Sequence, residues 1–302
     1  MRLSCSLGWS RRAARAGEAL LIVGVISLAA CDQGRAQRPS LATPPRSAPT
    51  SAPLLLSATT AVPRAVIVDA GPPPLRGELV ELEVAGFGNA VVSLPTGTRR
   101  PRPVVIAAHG NYDTPASQCR SWRRLLASRA FVLCPRGVER LDSPSADDIR
   151  YTFDGREQLE REVLAGLEAL EAIVKGYLAP GPVLWTGFSL GAILGAKIAA
   201  RHPKRFPYLI LTEGGHDAWT AARSKQFASG GGRAVAWICG SKGCELAAKN
   251  AARRVKAAGS KVFVGLVPKR GHVYGGQLGV LALDKLAWLT QGDDRWATAA
   301  GD

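Results

Sequence analysis

Between residues 103 and 289 the sequence repeats one unit: a short apolar run followed by a stretch of helical spacing. The runs are 103–108 (PVVIAA), 130–134, 183–186, 208–212, 234–239 and 262–267, and none carries a charge. Uninterrupted apolar runs of this length suit strands buried on both faces of a sheet. Between them, 117–128, 157–177, 190–201, 217–228, 245–258 and 279–289 space their apolar residues as helices do. Strands alternating with helices imply right-handed crossovers and a mostly parallel α/β sheet with helices on both faces. Ahead of the repeat, 78–84 and 89–94 alternate like an antiparallel hairpin. One α/β domain over 76–302 accounts for all of this, and a 46% hydrophobic composition supplies its core.

The first 75 residues have a different character. Arg2, Arg11, Arg12 and Arg15 precede the uncharged run 19–30 (ALLIVGVISLAA), which ends at Cys31. A membrane-crossing helix needs about 20 apolar residues, so the shorter run reads as the apolar region of an export signal over 1–30. Leu28-Ala29-Ala30-Cys31 resembles the lipobox of bacterial lipoproteins. That resemblance implies lipidation of Cys31 and an exported, membrane-anchored protein on the periplasmic or cell-surface face. Residues 31–75 are rich in Pro, Ala, Ser and Thr, and nine of the 20 prolines lie between Pro39 and Pro74. Such a composition buries too little apolar area to offset its ordering entropy, so it reads as a disordered tether.

The chain has a formal charge of +15, of which residues 76–302 carry +10. The excess lies on helical stretches such as 120–129, 201–205 and 249–256, without the interleaved aromatics of a single-strand nucleic-acid face. Nucleic acid is therefore not an expected partner. A solvated basic surface near anionic lipid or polymer is expected instead.

The sharpest motif is Gly187-Phe188-Ser189-Leu190-Gly191, of the form G-x-S-x-G, between the run 183–186 and the small-residue helix 192–200. Both glycines suit a strand-to-helix turn too tight for side chains two residues either side of the serine. In this context the chain resembles the α/β-hydrolase superfamily over 79–289. The wording of the motif is similar to that of dienelactone-hydrolase, carboxylesterase and polyhydroxybutyrate-depolymerase types, although Ala192 stands where many of these have a further glycine.

The resemblance implies the chain order serine, acid, histidine. Ser189 is the expected nucleophile, and His272, in the loop after the last apolar run, the expected general base. Three carboxylates separate them: Glu213, Asp217 and Glu245. The superfamily usually places its acid just after the next-to-last strand, but Gly240-Ser241-Lys242-Gly243 has none there. Glu213, which ends the preceding run, is the first candidate, with Glu245 and Asp217 as alternatives. The resemblance further implies an oxyanion hole made by the Leu190 amide and one from Gly110 to Tyr112, Asn111 being preferred over Gly110. His109-Gly110-Asn111 resembles the superfamily's oxyanion turn, whose histidine is usually structural. His202, before Pro203 at a helix end, suits the helix dipole. His216 lies in a loop that can line the pocket.

The long stretch 135–156 shows no clear element and is expected to wall the pocket, with Tyr151 and Phe153 as aromatic substrate contacts. An exported domain retains Cys119, Cys134, Cys239 and Cys244, which allow three pairings. Proximity and topology favour Cys119 with Cys134 and Cys239 with Cys244. No Cys-x-x-Cys pair or regular histidine spacing argues for a metal, and the expected chemistry uses no cofactor. The expected activity is hydrolysis of small-molecule or polymeric carboxylic esters through an acyl-enzyme. A peptidase or acyltransferase with the same residues is one alternative. A non-catalytic surface binding protein of the same fold is another, favoured by the missing acid in 240–243.

Overall fold

A computed structural model describes residues 75–297; the expected signal, Cys31 and nearly all of the tether lie outside the described residues. The hairpin is β1 (Leu79–Leu82) and β2 (Ala90–Ser93), paired antiparallel. The repeat follows as β3 (Val104–Ala108), α1 (Pro115–Leu126) and β4 (Phe131–Cys134). Two very short strands come next, β5 (Val138–Glu139) and β6 (Tyr151–Thr152), and then α2 (Arg156–Val174), β7 (Leu184–Phe188) and α3 (Leu190–Arg201). The remaining elements are β8 (Tyr208–Thr212), α4 (Ala221–Ser229), β9 (Ala234–Cys239), α5 (Lys242–Ala257) and β10 (Lys261–Leu266). Two short helices, α6 (Gly276–Asp284) and α7 (Leu286–Leu289), lie near the end of the described chain.

Eight strands form one sheet in the order β1-β2-β4-β3-β7-β8-β9-β10. All pairs from β4 to β10 are parallel, and β1 and β2 add an antiparallel edge. Alternation along each strand feeds two cores. Val104, Ile106 and Ala108 face one with residues of α2, α3 and α5, whereas Val105 and Ala107 face the other with α1, α6 and α7. Helices thus cover both faces of the sheet, as the uncharged runs predict.

The chain leaves β3 toward β4 on one side and later leaves β7 toward β8 on the other. The strand order therefore reverses between β3 and β7, and a crevice opens at their carboxyl ends, where ligands of open α/β sheets bind. The G-x-S-x-G turn follows β7 and the His109-Gly110-Asn111 turn follows β3, so both expected motifs meet at this crevice.

Three local expectations need correction. The 135–156 stretch holds a small antiparallel ribbon, β5 with β6, too short to leave a period in the sequence. The helix expected over 217–228 starts at Ala221, because the Thr220 hydroxyl caps it by accepting from the Arg223 amide. The helix expected over 279–289 is broken at Lys285 into α6 and α7.

Candidate active site

Ser189 sits between β7 and α3 with φ 49° and ψ −112°, a conformation that L-residues rarely hold and that costs on the order of 1–3 kcal/mol. The surroundings impose it. Its amide donates to the Thr212 carbonyl at 3.0 Å, and its carbonyl accepts from the Ala192 and Ile193 amides at 3.1 and 2.9 Å. A Cβ on Gly187 would lie 2.5 Å from the Gly191 carbonyl, and one on Gly191 would lie 2.3 Å from the Ala108 oxygen. Only glycine fits at either position. The turn therefore holds the serine hydroxyl out at the end of the sheet.

His272, in the loop after β10, places Nε2 2.8 Å from Ser189 Oγ and Nδ1 3.3 Å from Glu213 Oε2. With the ring proton on Nδ1, the imidazole donates to Glu213, and Nε2 is left to accept the serine proton. The histidine side chain is 58% exposed, whereas that of Glu213 is 5% exposed. Glu213 follows β8 with φ 50°, and its Oε1 accepts from the amides of Gly240 and Ser241 at 2.5 and 3.2 Å. Of the three candidate carboxylates, this one reaches the histidine. Glu245 instead pairs with Lys249 at 2.6 Å within α5, and the exposed Asp217 pairs with His216 at 3.0 Å.

The His109-Gly110-Asn111 turn, the expected oxyanion turn, is tied to the serine turn by the Gly191 amide, which donates to the His109 carbonyl at 3.0 Å. The amides of Tyr112 and Asp113 both donate to the Tyr151 carbonyl, at 3.0 and 3.3 Å. Tyr112 is thereby committed elsewhere, which leaves Gly110 and Asn111 as the candidates for the expected second donor. The first, the Leu190 amide, opens α3 beside the serine. His109 is fully buried, its Nδ1 2.7 Å from the Gly110 carbonyl and its Nε2 2.9 Å from the Arg136 carbonyl, as expected of a structural residue.

The expected substrate contacts divide. Phe153 is 5% exposed and stacks on His109 with ring centroids 4.3 Å apart, so it supports the oxyanion turn from below instead of facing substrate. Tyr151 is half-buried in β6, with the Arg136 guanidinium over its ring, and its carbonyl anchors the oxyanion turn. His216 borders a hollow with Trp219, Thr220, Asn250 and Arg254, among residues that do not include the serine or His272.

Two groups at the site escape sequence reasoning. Tyr274, two residues past His272, packs on Phe188 at 4.8 Å between ring centroids and donates its hydroxyl to Asp113 Oδ1 at 3.2 Å. Burial, and then the Asp113 charge, push its phenol above the ordinary tyrosine value. Arg140 donates to the Asn111 side-chain oxygen at 2.9 Å and forks onto Asp142 at 2.8 and 2.9 Å. That hydrogen-bonded guanidinium holds the Asp142 carboxyl below the usual carboxylate range. Arg150 pairs likewise with Asp148 at 2.7 Å, and both arginines flank the Tyr112 ring. Each of these two arginines is thus paired with an acid of the same stretch. Neither group has a periodic or motif signal in the sequence.

Both favoured cysteine pairs are bonded, Cys119 with Cys134 and Cys239 with Cys244. One cluster of metal-ligand types occurs among the described residues, Glu213 with Cys239 and Cys244, and the disulfide removes both thiolates from its donor set.

No family model matches the sequence, and no curated protein matches it either. Solved structures do resemble it. The Thermus thermophilus protein TT1662 aligns with a TM-score of 0.52 at 17% identity, over 72% of this chain and 100% of its own. Est1E from Butyrivibrio proteoclasticus aligns with a TM-score of 0.51 at 12% identity, over 70% of this chain and 98% of its own. The Pyrococcus horikoshii acylaminoacyl peptidase aligns at 0.50 and 11% identity, over 76% of this chain but only 44% of its own. At such identities the likeness establishes the fold, which is that of the α/β-hydrolases.

Proposed function

We propose that this chain is a serine hydrolase that cleaves carboxylic esters through an acyl-enzyme on Ser189. The observation that carries the reading is the unbroken relay from Ser189 Oγ to His272 Nε2, and from His272 Nδ1 to Glu213, at 2.8 and 3.3 Å. A serine hydroxyl is a weak nucleophile until a positioned base takes its proton, and a carboxylate behind the base fixes its tautomer and stabilises the imidazolium.

The steps follow from these roles. His272 accepts the serine proton as Oγ attacks the ester carbonyl. The Leu190 amide and that of Asn111 or Gly110 hold the developing oxyanion. His272 then returns the proton to the departing alcohol, and water, activated by the same ring, releases the acid. The non-catalytic alternative rests on the missing acid in 240–243, and Glu213 supplies a carboxylate at His272 from the next strand end. A peptidase or acyltransferase would share these steps and differ in the acceptor and leaving group. We further propose that Cys31 carries a lipid that anchors the domain to a membrane, on the lipobox resemblance alone.

The test is to treat the full chain with a fluorophosphonate probe and map the adduct. Labelling at Ser189 that His272→Ala abolishes, together with turnover of simple acyl esters, is the expected result. A folded chain that stays unlabelled beside a reactive esterase would sink the proposal.

A further inference from the structure

The carboxylate and the histidine loop are held by the same short segment. Gly240 and Ser241 donate their amides to Glu213 Oε1 at 2.5 and 3.2 Å. The Gly240 carbonyl accepts from the Arg270 and Gly271 amides, both at 3.1 Å, immediately before His272. A trans peptide points its C=O and N–H in opposite directions. The Gly240–Ser241 peptide therefore grips the histidine loop with its oxygen and the carboxylate with its N–H. The fit is close on the loop side, since a Cβ on Gly240 would lie 2.3 Å from the Gly271 oxygen. Rotation of this one peptide would free the histidine loop and take one of the two amides from Glu213, leaving the carboxylate on the Gly240 amide alone.

The segment is fastened at both ends by the Cys239–Cys244 disulfide, whose Cα atoms are 5.6 Å apart. Cys239 ends β9 and Cys244 lies in the first turn of α5, where its amide donates to the capping Ser241 hydroxyl at 3.2 Å. Both sulfurs lie within 4.8 Å of the Glu213 carboxylate, and both cysteines are buried. The other disulfide joins α1 to β4, and Cys119 Sγ lies against the Val91 and Val132 carbonyls, away from the acid and the base.

We infer that the Cys239–Cys244 disulfide is a positioning element for the triad: by locking the Gly240–Ser241 peptide it aligns Glu213 and the His272 loop, and full turnover requires it to be formed. The inference rests on the hydrolase reading. It gives the loop that lacks the expected acid a different task, that of holding an acid supplied by β8.

The test uses the full chain carrying Cys239→Ala with Cys244→Ala, beside Cys119→Ala with Cys134→Ala, each with and without Glu213→Gln. Ester kinetics are measured with hydrogen exchange at the amides of 240, 241, 270 and 271. Loss of the first pair is expected to lower kcat about 10- to 100-fold, as small misplacements of catalytic groups do, with KM within about twofold and faster exchange at the four amides. In the Glu213→Gln background the same loss should cost less than in the parent, because only the histidine half of the clamp still acts there and residues acting through one another are not additive. The Cys119–Cys134 variant should keep kcat within about threefold of the parent, since that disulfide touches neither Glu213 nor the 270–272 loop. An equal fall of kcat in both Glu213 backgrounds, or an unchanged kcat, would overturn the inference. Should the first variant not fold, reduction by a small dithiol in the Cys119→Ala, Cys134→Ala background opens the remaining bond as the dithiol closes its own. Turnover must then fall, and return on reoxidation. A parent chain inert to esters and probe would end the hydrolase reading instead, and the clamp would be judged by exchange alone: faster exchange upholds it, unchanged exchange overturns it.

Discussion

The two walls of the crevice are built by different means. On one side the serine turn, Glu213 and the Gly240–Ser241 peptide are fixed by backbone hydrogen bonds and by contacts that only glycine permits. On the other side the turn after β3 is also tied to the ribbon by backbone hydrogen bonds with Tyr151, but the outer rim beyond those bonds is held by exposed ion pairs and by arginines laid on Tyr112, whose hydroxyl donates to the Asp142 carbonyl at 2.8 Å. Exposed ion pairs contribute little to stability. In the proposed hydrolase the bond-making groups are thus mounted on the buried backbone frame, and the outer rim of the other wall is mounted on side chains that can be exchanged cheaply. Substitutions should therefore lose effect steeply from the first wall to the second.

The largest effect is expected at Ser189, the proposed nucleophile. Ser189→Ala should lower kcat by about 10³- to 10⁶-fold, with the folded state intact, as removal of a triad serine does. Next comes the proposed acid: Glu213→Gln should lower kcat/KM by about 10²- to 10⁴-fold through loss of the correct histidine tautomer. Glu245→Gln and Asp217→Asn, whose carboxylates face Lys249 and His216, should change it by less than about twofold, as surface changes away from the site do. A large loss at Glu245 or Asp217 would overturn the assignment of the acid.

The frame itself can be disrupted with one methyl group. Gly191→Ala would bring a Cβ to 2.3 Å from the Ala108 carbonyl, on backbone that cannot yield as a flexible side chain does. A destabilisation of about 1–3 kcal/mol, the usual range for overpacking, is expected in urea unfolding, with activity reduced further than stability. The same steric demand explains why this wall is legible in the sequence: a turn so tight leaves two obligatory glycines at fixed offsets from the serine, and the strand and helix around it keep their own patterns. The acid is only partly legible. Its identity depends on which strand end approaches the 270–272 loop across the sheet, a non-local fact, so Glu213 stands among three carboxylates. The ribbon is not legible at all, since two-residue strands have no period. Tyr274 and Arg140 meet the site only through the partners that folding brings to them, and Phe153 reads as a pocket residue because nothing local reveals that it lies under His109.

On the exchangeable wall, Arg140→Ala removes the hydrogen bond to the Asn111 side chain and the fork to Asp142. The Asn111 amide is backbone and stays in place. KM should therefore rise by about two- to fivefold with kcat within about twofold, the scale of an exposed charged contact. If turnover instead dropped by about two orders of magnitude, the scale of a misplaced catalytic group, this wall would be as rigid as the other and the contrast between them would fail.

Tyr274 ties the two walls together, from beside His272 to Asp113 beyond the oxyanion turn, and its substitution probes that link through pH dependence. Tyr274→Phe keeps the packing on Phe188 and removes one hydrogen bond, which should cost about 0.5–1.5 kcal/mol near neutral pH. The folded phenol is held above its ordinary value, first by burial and then by Asp113, so the folded chain keeps this proton after the unfolded chain begins to release it. The contribution is fully present below the unfolded value of about 10, and is lost as pH rises from there through the folded value. The stability gap between parent and Tyr274→Phe should thus hold constant from about pH 7 to 9 and narrow above about pH 10. Urea midpoints measured across that range decide it. A gap that stays constant into alkaline solution would mean that the hydroxyl ionises alike in both states and that the link from His272 to the oxyanion turn is carried by ring packing alone.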